Sequence, residues 1–195
     1  SSVLLSLAAK ADPDAPVLFL NTLRHFPETL DYIDTLRRRL GLTNIRMIEP
    51  RPADIEAEDP KGDLAERDPD RCCYIRKTMP MIRQLSGYKS WITGRKRFQS
   101  KGRAGLALFE VEERWIKVNP LVHWQAADIA DYMSRLDLPP HPLVALGFPS
   151  IGCHPCTSPV APGEADPRAG RWRGEDKTEC GIHFVESGAG RRGDD

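Results

Sequence analysis

What this 195-residue chain lacks narrows its function before any motif does. No run comes near the roughly 20 consecutive apolar residues that a membrane-spanning helix needs, which excludes such a helix. Its 28 basic and 28 acidic residues cancel. That lack of net charge argues against a general nucleic-acid or membrane-surface binder, since both partners select a strongly basic face. Among these residues there is no basic, apolar and small-residue order of a secretion signal, and no internal repeat. Cysteine is sparse and odd in number, five in all, too few for a disulfide scaffold. The expectation is a cytoplasmic protein with reduced thiols, whose cysteines serve a metal or a reaction.

What is present is ordinary for one globular domain, with 40% hydrophobic and 29% charged residues, enough to build a real core. Residues 2–10 have helical apolar spacing. Val17-Leu18-Phe19-Leu20 and Ile45-Arg46-Met47-Ile48 read as strands flanking an amphipathic helix over 26–40, with Pro27 in its first turn and Gly41 at its end. Strand, helix, strand in that order implies a parallel sheet. Residues 51–70 are acidic and proline-bearing and read as a surface loop. A helix over 74–85 is expected to begin at or just after Cys72-Cys73, followed by a strand over 90–93 and an arginine-rich loop to Arg103. Residues 106–111 and 115–118 alternate as a hairpin does, and 126–136 is a second amphipathic helix. Proline and glycine dominate beyond Pro139. Residues 1–186 are expected to form one domain and 187–195 a flexible tail. The chain opens on Ser1-Ser2 without Met, so residues preceding it in the natural protein are expected.

The five cysteines divide into two pairs and a single: Cys72-Cys73, Cys153-x-x-Cys156 and Cys180. Four thiolates suffice to close one soft-metal site. The C-x-x-C lies in a Gly/Pro-bounded turn, where both sulfurs face one centre. Adjacent cysteines at a helix end reach a bulky cluster more easily than one small ion, which favours a 4Fe-4S cluster over Zn²⁺; zinc or buried, metal-free thiols stay open as alternatives. A redox dithiol at Cys153 and Cys156 is disfavoured, because Pro155 and Pro159 oppose the helix such a motif opens. Cys180 lies in a polar stretch with His183 three residues on. As a nucleophile it needs cations and solvent access; Arg168, Arg171 and Arg173 upstream offer the first and a mobile tail the second. As a lone cysteine near the end of the chain it is otherwise inert.

Arg76-Lys77 follows the paired cysteines within one helical turn, close enough to serve both a metal site and a ligand. Arg95, Lys96, Arg97 and Arg103 follow a predicted strand, where α/β proteins bind ligands, and guanidinium forks suit phosphate or sulfate oxygens. The plain alternative is a set of solvated loop charges. His25, His123 and His141 read as structural or surface residues.

Taken together and in order, Cys72-Cys73-x-x-Arg76-Lys77, Trp91-Ile92-Thr93-Gly94-Arg95-x-Arg97-x-Gln99-Ser100, Ser150-Ile151-Gly152-Cys153-x-Pro155-Cys156-Thr157, Arg168-x-Gly170-Arg171-Trp172 and Glu179-Cys180-Gly181-Ile182-His183 resemble the bacterial, cluster-containing assimilatory adenylyl-sulfate reductases of the phosphoadenylyl-sulfate reductase family. The resemblance covers nearly the whole chain. It implies an α/β, parallel-sheet, adenine-nucleotide α-hydrolase-like (ATP pyrophosphatase-like) domain with helices on both faces and an irregular C-terminal tail. It further implies reduction of adenosine 5′-phosphosulfate to sulfite and AMP, through an S-sulfocysteine on Cys180 that a separate thioredoxin or glutaredoxin resolves. By the same resemblance Cys72, Cys73, Cys153 and Cys156 hold a 4Fe-4S cluster, and Lys77, Gly94, Arg97, Arg103, Arg168, Arg171 and His183 bind the substrate. A homo-oligomer is compatible with it; nucleic-acid and membrane partners are not expected. Two departures stand out: only Ser1-Ser2 correspond to the family's phosphate loop, and Leu20-Asn21-Thr22-Leu23 replaces Leu-Asp-Thr-Gly. Competing expectations are reduction of the 3′-phosphorylated nucleotide, a zinc-stabilised four-cysteine binding module, and a sulfur-transferring enzyme acting on tRNA, which the neutral charge disfavours.

Overall fold

A computed structural model describes residues 1–112, 114–175 and 177–183, with Glu112 and His183 described by their backbone alone. Helix α1 (Ser2–Ala11) is capped by the Ser1 hydroxyl, which accepts from the Leu4 peptide N–H at 3.4 Å. Its inner face places Val3 in a core cluster with Leu121, Tyr132 and Leu138, bringing α1 onto the amphipathic α7 (Ala126–Arg135). Full burial of side chains such as Leu121 contributes roughly 1.5–3 kcal/mol each.

The expected βαβ unit is present. Strand β1 (Val17–Leu20), helix α2 (Pro27–Leu40) and strand β2 (Ile45–Ile48) follow in order, and β1 pairs in parallel with β2 from Val17↔Ile45 to Leu20↔Ile48. A second parallel pair joins β3 (Ser90–Ile92) to β5 (Trp115–Val118), with β4 (Phe109–Glu112) antiparallel on the far edge. Among the described residues the strands form two ladders, β1–β2 and β3–β5–β4. Strand β4 starts later than its alternation predicts. The carbonyls of Leu106 and Ala107 are already taken, by Arg97 Nε and Asn119 Nδ2, both at 2.9 Å.

Two expectations are corrected. Residues 51–70 are mostly helical, comprising α3 (Pro52–Glu58), α4 (Leu64–Arg67) and the start of α5 (Pro69–Cys73). The prolines that suggested a loop occupy first helical turns, where a missing N–H is no loss, and Leu64 is buried against Cys72 and Ile75. The helix expected to begin at the paired cysteines begins at Pro69 instead, so Cys72 and Cys73 end α5 rather than open a helix. The chain then passes through a π-helical turn (Tyr74–Thr78) into α6 (Met79–Leu85). The wide turn precedes Pro80, whose ring removes the N–H that a regular helix would direct at the Arg76 carbonyl. No helix among the described residues is long and apolar enough to cross a membrane.

Candidate active site

The four paired cysteines wall one narrow cavity of about 10 Å³. Cys72 and Cys73 reach it from the end of α5, which Asp68 caps by accepting from the Arg71 peptide N–H at 2.8 Å. Cys153 and Cys156 reach it from a 3₁₀ turn over His154–Cys156, closed by Cys156 N–H on the Cys153 carbonyl at 3.0 Å. That turn is fastened on both sides. The Thr22 hydroxyl lies 3.2 Å from Cys153 Sγ, and the His154 N–H donates to Arg24 O at 2.8 Å. On the other side the Trp172 N–H donates to Cys156 O at 3.2 Å. The glycines of these motifs are packing requirements: a Cβ on Gly152 would strike the Arg171 guanidinium, and one on Gly170 the Ser158 carbonyl.

The cavity is charged as well as sulfur-lined. Arg24, Arg76 and Lys77 are part of its wall. Burial pushes the Cys72 thiol up to about 11, against the opposing pull of Arg76. Burial raises Cys156 too, with the neighbouring Cys153 adding to it. Burial works against the Lys77 ammonium, but the sulfurs of Cys180, Cys153 and Cys73 outweigh it and hold Lys77 firmly protonated. All five cysteines are free thiols, and among the described residues no group of three or more His, Cys, Asp or Glu is set to hold one metal ion.

Cys180 joins this assembly rather than standing clear of it. Its thiol is half-buried and shares a hydrogen bond with Cys73. That bond is the largest cause lowering the Cys180 pKa; burial opposes it, while Lys77, the Ile182 peptide N–H and Lys177 add to the lowering. Ile182 packs on the cluster of Met81, Leu85 and Trp115. The expected solvent-exposed thiol is therefore corrected to a packed one. The backbone of His183 ends the 3₁₀ turn Gly181–His183; its side chain and the expected tail 187–195 lie outside the described residues.

The cations sort into two groups. Arg171 stacks on Trp172 at 4.3 Å; burial lowers its pKa, and the charges of Cys153 and Cys180 counter that. Trp172 also carries Lys177 at 5.6 Å and Arg168 at 5.9 Å, with its own backbone in the left-handed region at φ 47°, a strain that tight functional sites sustain. Arg103 grips Glu179 through Nε–Oε1 at 2.6 Å and Nη2–Oε2 at 2.7 Å. Arg168 donates to Thr178 O at 2.6 Å and lies 3.7 Å from the same Glu179 carboxylate. Arg97 is exposed and donates to the Leu106 carbonyl, with no contact among the described residues to the Cys180 group. Arg173 pairs with Glu164 instead of facing Cys180. Gly94 lies against Ser1, where a Cβ would meet the Ser1 Cβ at 2.8 Å.

The description of a phosphoadenosine phosphosulfate reductase domain matches residues 1–159. The chain belongs to that reductase family. Across 184 residues it is 51% identical to an adenosine 5′-phosphosulfate reductase of Mesorhizobium japonicum, spanning 94% of this chain and 72% of that one. A Bacillus pumilus protein of the same name is 44% identical, over 93% of this chain and 78% of its own length. Among solved structures, a phosphoadenylyl-sulfate reductase from Candida auris in a phosphate complex superposes with a TM-score of 0.68 at 29% identity, covering 82% of this chain and 77% of that chain. The α/β, adenine-nucleotide α-hydrolase-like fold expected from the sequence is thereby borne out.

Within this reductase-family fold, sequence reasoning missed Lys177 and Glu179, both inside three residues of Cys180. Lys177 is held by Asp70 at the head of α5, so it ties the Cys180 segment to the helix carrying Cys72 and Cys73. Their adjacency to the single cysteine was the available signal.

Proposed function

We propose that this member of the family is an adenylyl-sulfate reductase acting in sulfate assimilation towards cysteine, in the cytoplasm, with residues 1–186 as its catalytic unit. The observation that carries the reading is the Cys180 sulfur beside the buried Lys77 ammonium, whose charge favours the thiolate. In the first step the Cys180 thiolate attacks the sulfur of adenosine 5′-phosphosulfate. A sulfur–sulfur bond forms, the bond from sulfur to the phosphate oxygen breaks, and its electron pair leaves with AMP. A thiolate of thioredoxin or glutaredoxin then attacks the Cys180 sulfur of the S-sulfocysteine. Sulfite departs with the bonding pair, and the reductant's second thiol frees Cys180 from the mixed disulfide. The two electrons come from that dithiol.

The positive charge of Lys77, Arg103, Arg168 and Arg171 suits the phosphosulfate oxygens, with Gly94, Arg97 and His183 completing the assigned binding set. Four soft donors around one cavity, with Arg24, Arg76 and Lys77 also in its wall, suit a soft, negatively charged metal group. Cys72, Cys73, Cys153 and Cys156 would hold a 4Fe-4S cluster there. Bound, it supplies a fixed negative field facing Lys77, and donates no electron in this scheme.

Mixing the protein with adenosine 5′-phosphosulfate and no reductant tests the reading by intact mass. The expected result is a gain of one SO₃ group on the Cys180 peptide; no gain overturns the mechanism. The same assay with the 3′-phosphorylated nucleotide tests the substrate, and faster labelling by that compound would reverse the choice. Replacing one cavity cysteine, Cys156→Ala, is expected to remove bound iron and the broad visible absorption together, and retention of full iron would contradict the ligand set. Lys77→Ala is expected to lower kcat on the order of 100-fold, the usual loss on removing one preorganised electrostatic group, with an unchanged circular dichroism spectrum. An unaltered rate would remove Lys77 from the reaction.

A further inference from the structure

Glu179 occupies a place built for an oxyanion. Two guanidiniums, Arg103 and Arg168, converge on its carboxylate at 2.6 Å and 3.7 Å, with side chains only 10% and 14% exposed against 11% for the glutamate. Planar forks of this kind match any group bearing two or more terminal oxygens, carboxylate and phosphosulfate alike. No other carboxylate among the described residues lies within ion-pair distance of either arginine. The neighbouring charges are otherwise engaged: Arg95 with Glu110, and Lys96 on the Gly94 carbonyl at 2.7 Å. Glu179 immediately precedes Cys180, and Arg168 also holds the Thr178 carbonyl at 2.6 Å. Whatever displaces the carboxylate therefore loosens the segment that carries the nucleophile.

We propose that Glu179 is an internal stand-in for the substrate anion: it docks the Cys180 segment on Arg103 and Arg168, and the phosphosulfate of the nucleotide takes its place. The inference rests on the proposed substrate and on the role given to Cys180. Two negative groups cannot share one pair of guanidiniums in a poorly hydrated pocket without strong repulsion. Ligand entry and undocking of residues 178–180 are then a single exchange, and the docked state lowers the apparent affinity for substrate. A glutamate that merely braces Arg103 has the opposite consequence, because its loss would disorder the arginine and weaken binding. Glu179 is thus a positioning residue, acting on Cys180 through the two arginines.

The test compares Glu179→Gln and Glu179→Asp with the parent in a Cys180→Ser background of the metal-loaded protein, so that adenosine 5′-phosphosulfate binds without reacting. Calorimetry is expected to give a Kd about tenfold lower for Glu179→Gln, the size of one lost charge-assisted contact. Glu179→Asp, shorter by one methylene, should tighten binding by a smaller factor and decides the matter if the glutamine variant does not fold. Hydrogen exchange of residues 177–183 without ligand should be faster in Glu179→Gln. Unchanged or weaker binding in both variants overturns the stand-in role, and unchanged exchange overturns the docking. Absence of binding by the parent itself is a separate result, which sinks the functional reading along with this one.

Discussion

Cys180→Ser is expected to form no detectable sulfite, a fall of four or more orders of magnitude, in line with losses of a nucleophile in well-studied hydrolases. The substitution preserves shape and removes the ability to ionise. Without a bound cluster the lowered pKa of Cys180 comes first from its hydrogen bond with Cys73, against burial; with Cys73 bound to iron, Lys77, the Ile182 N–H and Lys177 remain to favour the thiolate. None of these brings a serine hydroxyl into the range where it becomes an oxyanion. Arg103, Arg168 and Arg171 are untouched, so nucleotide binding should persist while turnover vanishes, which separates lost chemistry from lost folding. The sign of the pKa shift adds a second observable. Because the active form is the thiolate and the Lys77 and Lys177 charges favour it, activity should persist to more acidic pH than an ordinary thiol of pKa near 9.0 permits. The acid limb should move to higher pH in Lys77→Ala. Residual sulfite formation by Cys180→Ser would transfer the reaction to another group.

The parts of this arrangement that were legible in the sequence share a physical reason. Cysteine is rare enough that two pairs and a single constitute a signal, and the cavity walled by Cys72, Cys73, Cys153 and Cys156 answers to it. The apolar runs at Val17–Leu20 and Ile45–Ile48 around the period of α2 sufficed for the βαβ unit. What escaped is what depends on distant partners or ambiguous breakers. Pro52 and Pro69 read equally as loop residues or as first-turn helix residues, and the apolar Ile55 and Leu64 between them are too widely spaced to decide. The Lys177–Asp70 tie joins residues 107 positions apart, and no local pattern announces it. Arg173 looked like a cation for Cys180, yet a nearer carboxylate, Glu164, takes it. The burial of Cys180 depends on Ile182 finding the Met81–Leu85–Trp115 cluster, a tertiary fact without local trace.

The largest effect on stability is expected from Asp59→Ala, a loss of about 3–5 kcal/mol, the usual result of stranding one member of a buried ion pair. Asp59 and Arg76 have side chains 1% and 4% exposed and meet at 2.6 Å. The other Asp59 oxygen accepts from the Leu64 N–H at 2.9 Å, which starts α4, and Arg24 adds its charge at 3.7 Å. Arg76 also donates to the Thr22 carbonyl at 3.1 Å, and the Thr22 hydroxyl contacts Cys153. Removing the carboxylate thus leaves a buried guanidinium in the wall of the cysteine cavity without its counter-charge. Burial pushes the Asp59 pKa up, but the Arg76 and Leu64 hydrogen bonds and the charges of Arg76 and Arg24 together hold it below the ordinary 3.8. A group depressed in the folded state stabilises fully above its unfolded pKa and loses that contribution as pH falls through the folded value. Urea unfolding should therefore reveal a large difference between parent and Asp59→Ala at neutral pH, shrinking below pH 3.8. The double replacement Asp59→Leu with Arg76→Met should recover much of the loss, because two apolar side chains leave no stranded charge. A single-variant loss under about 1 kcal/mol at neutral pH, within the range of an exposed pair, would show that the pair is solvated and does not support the cysteine cavity.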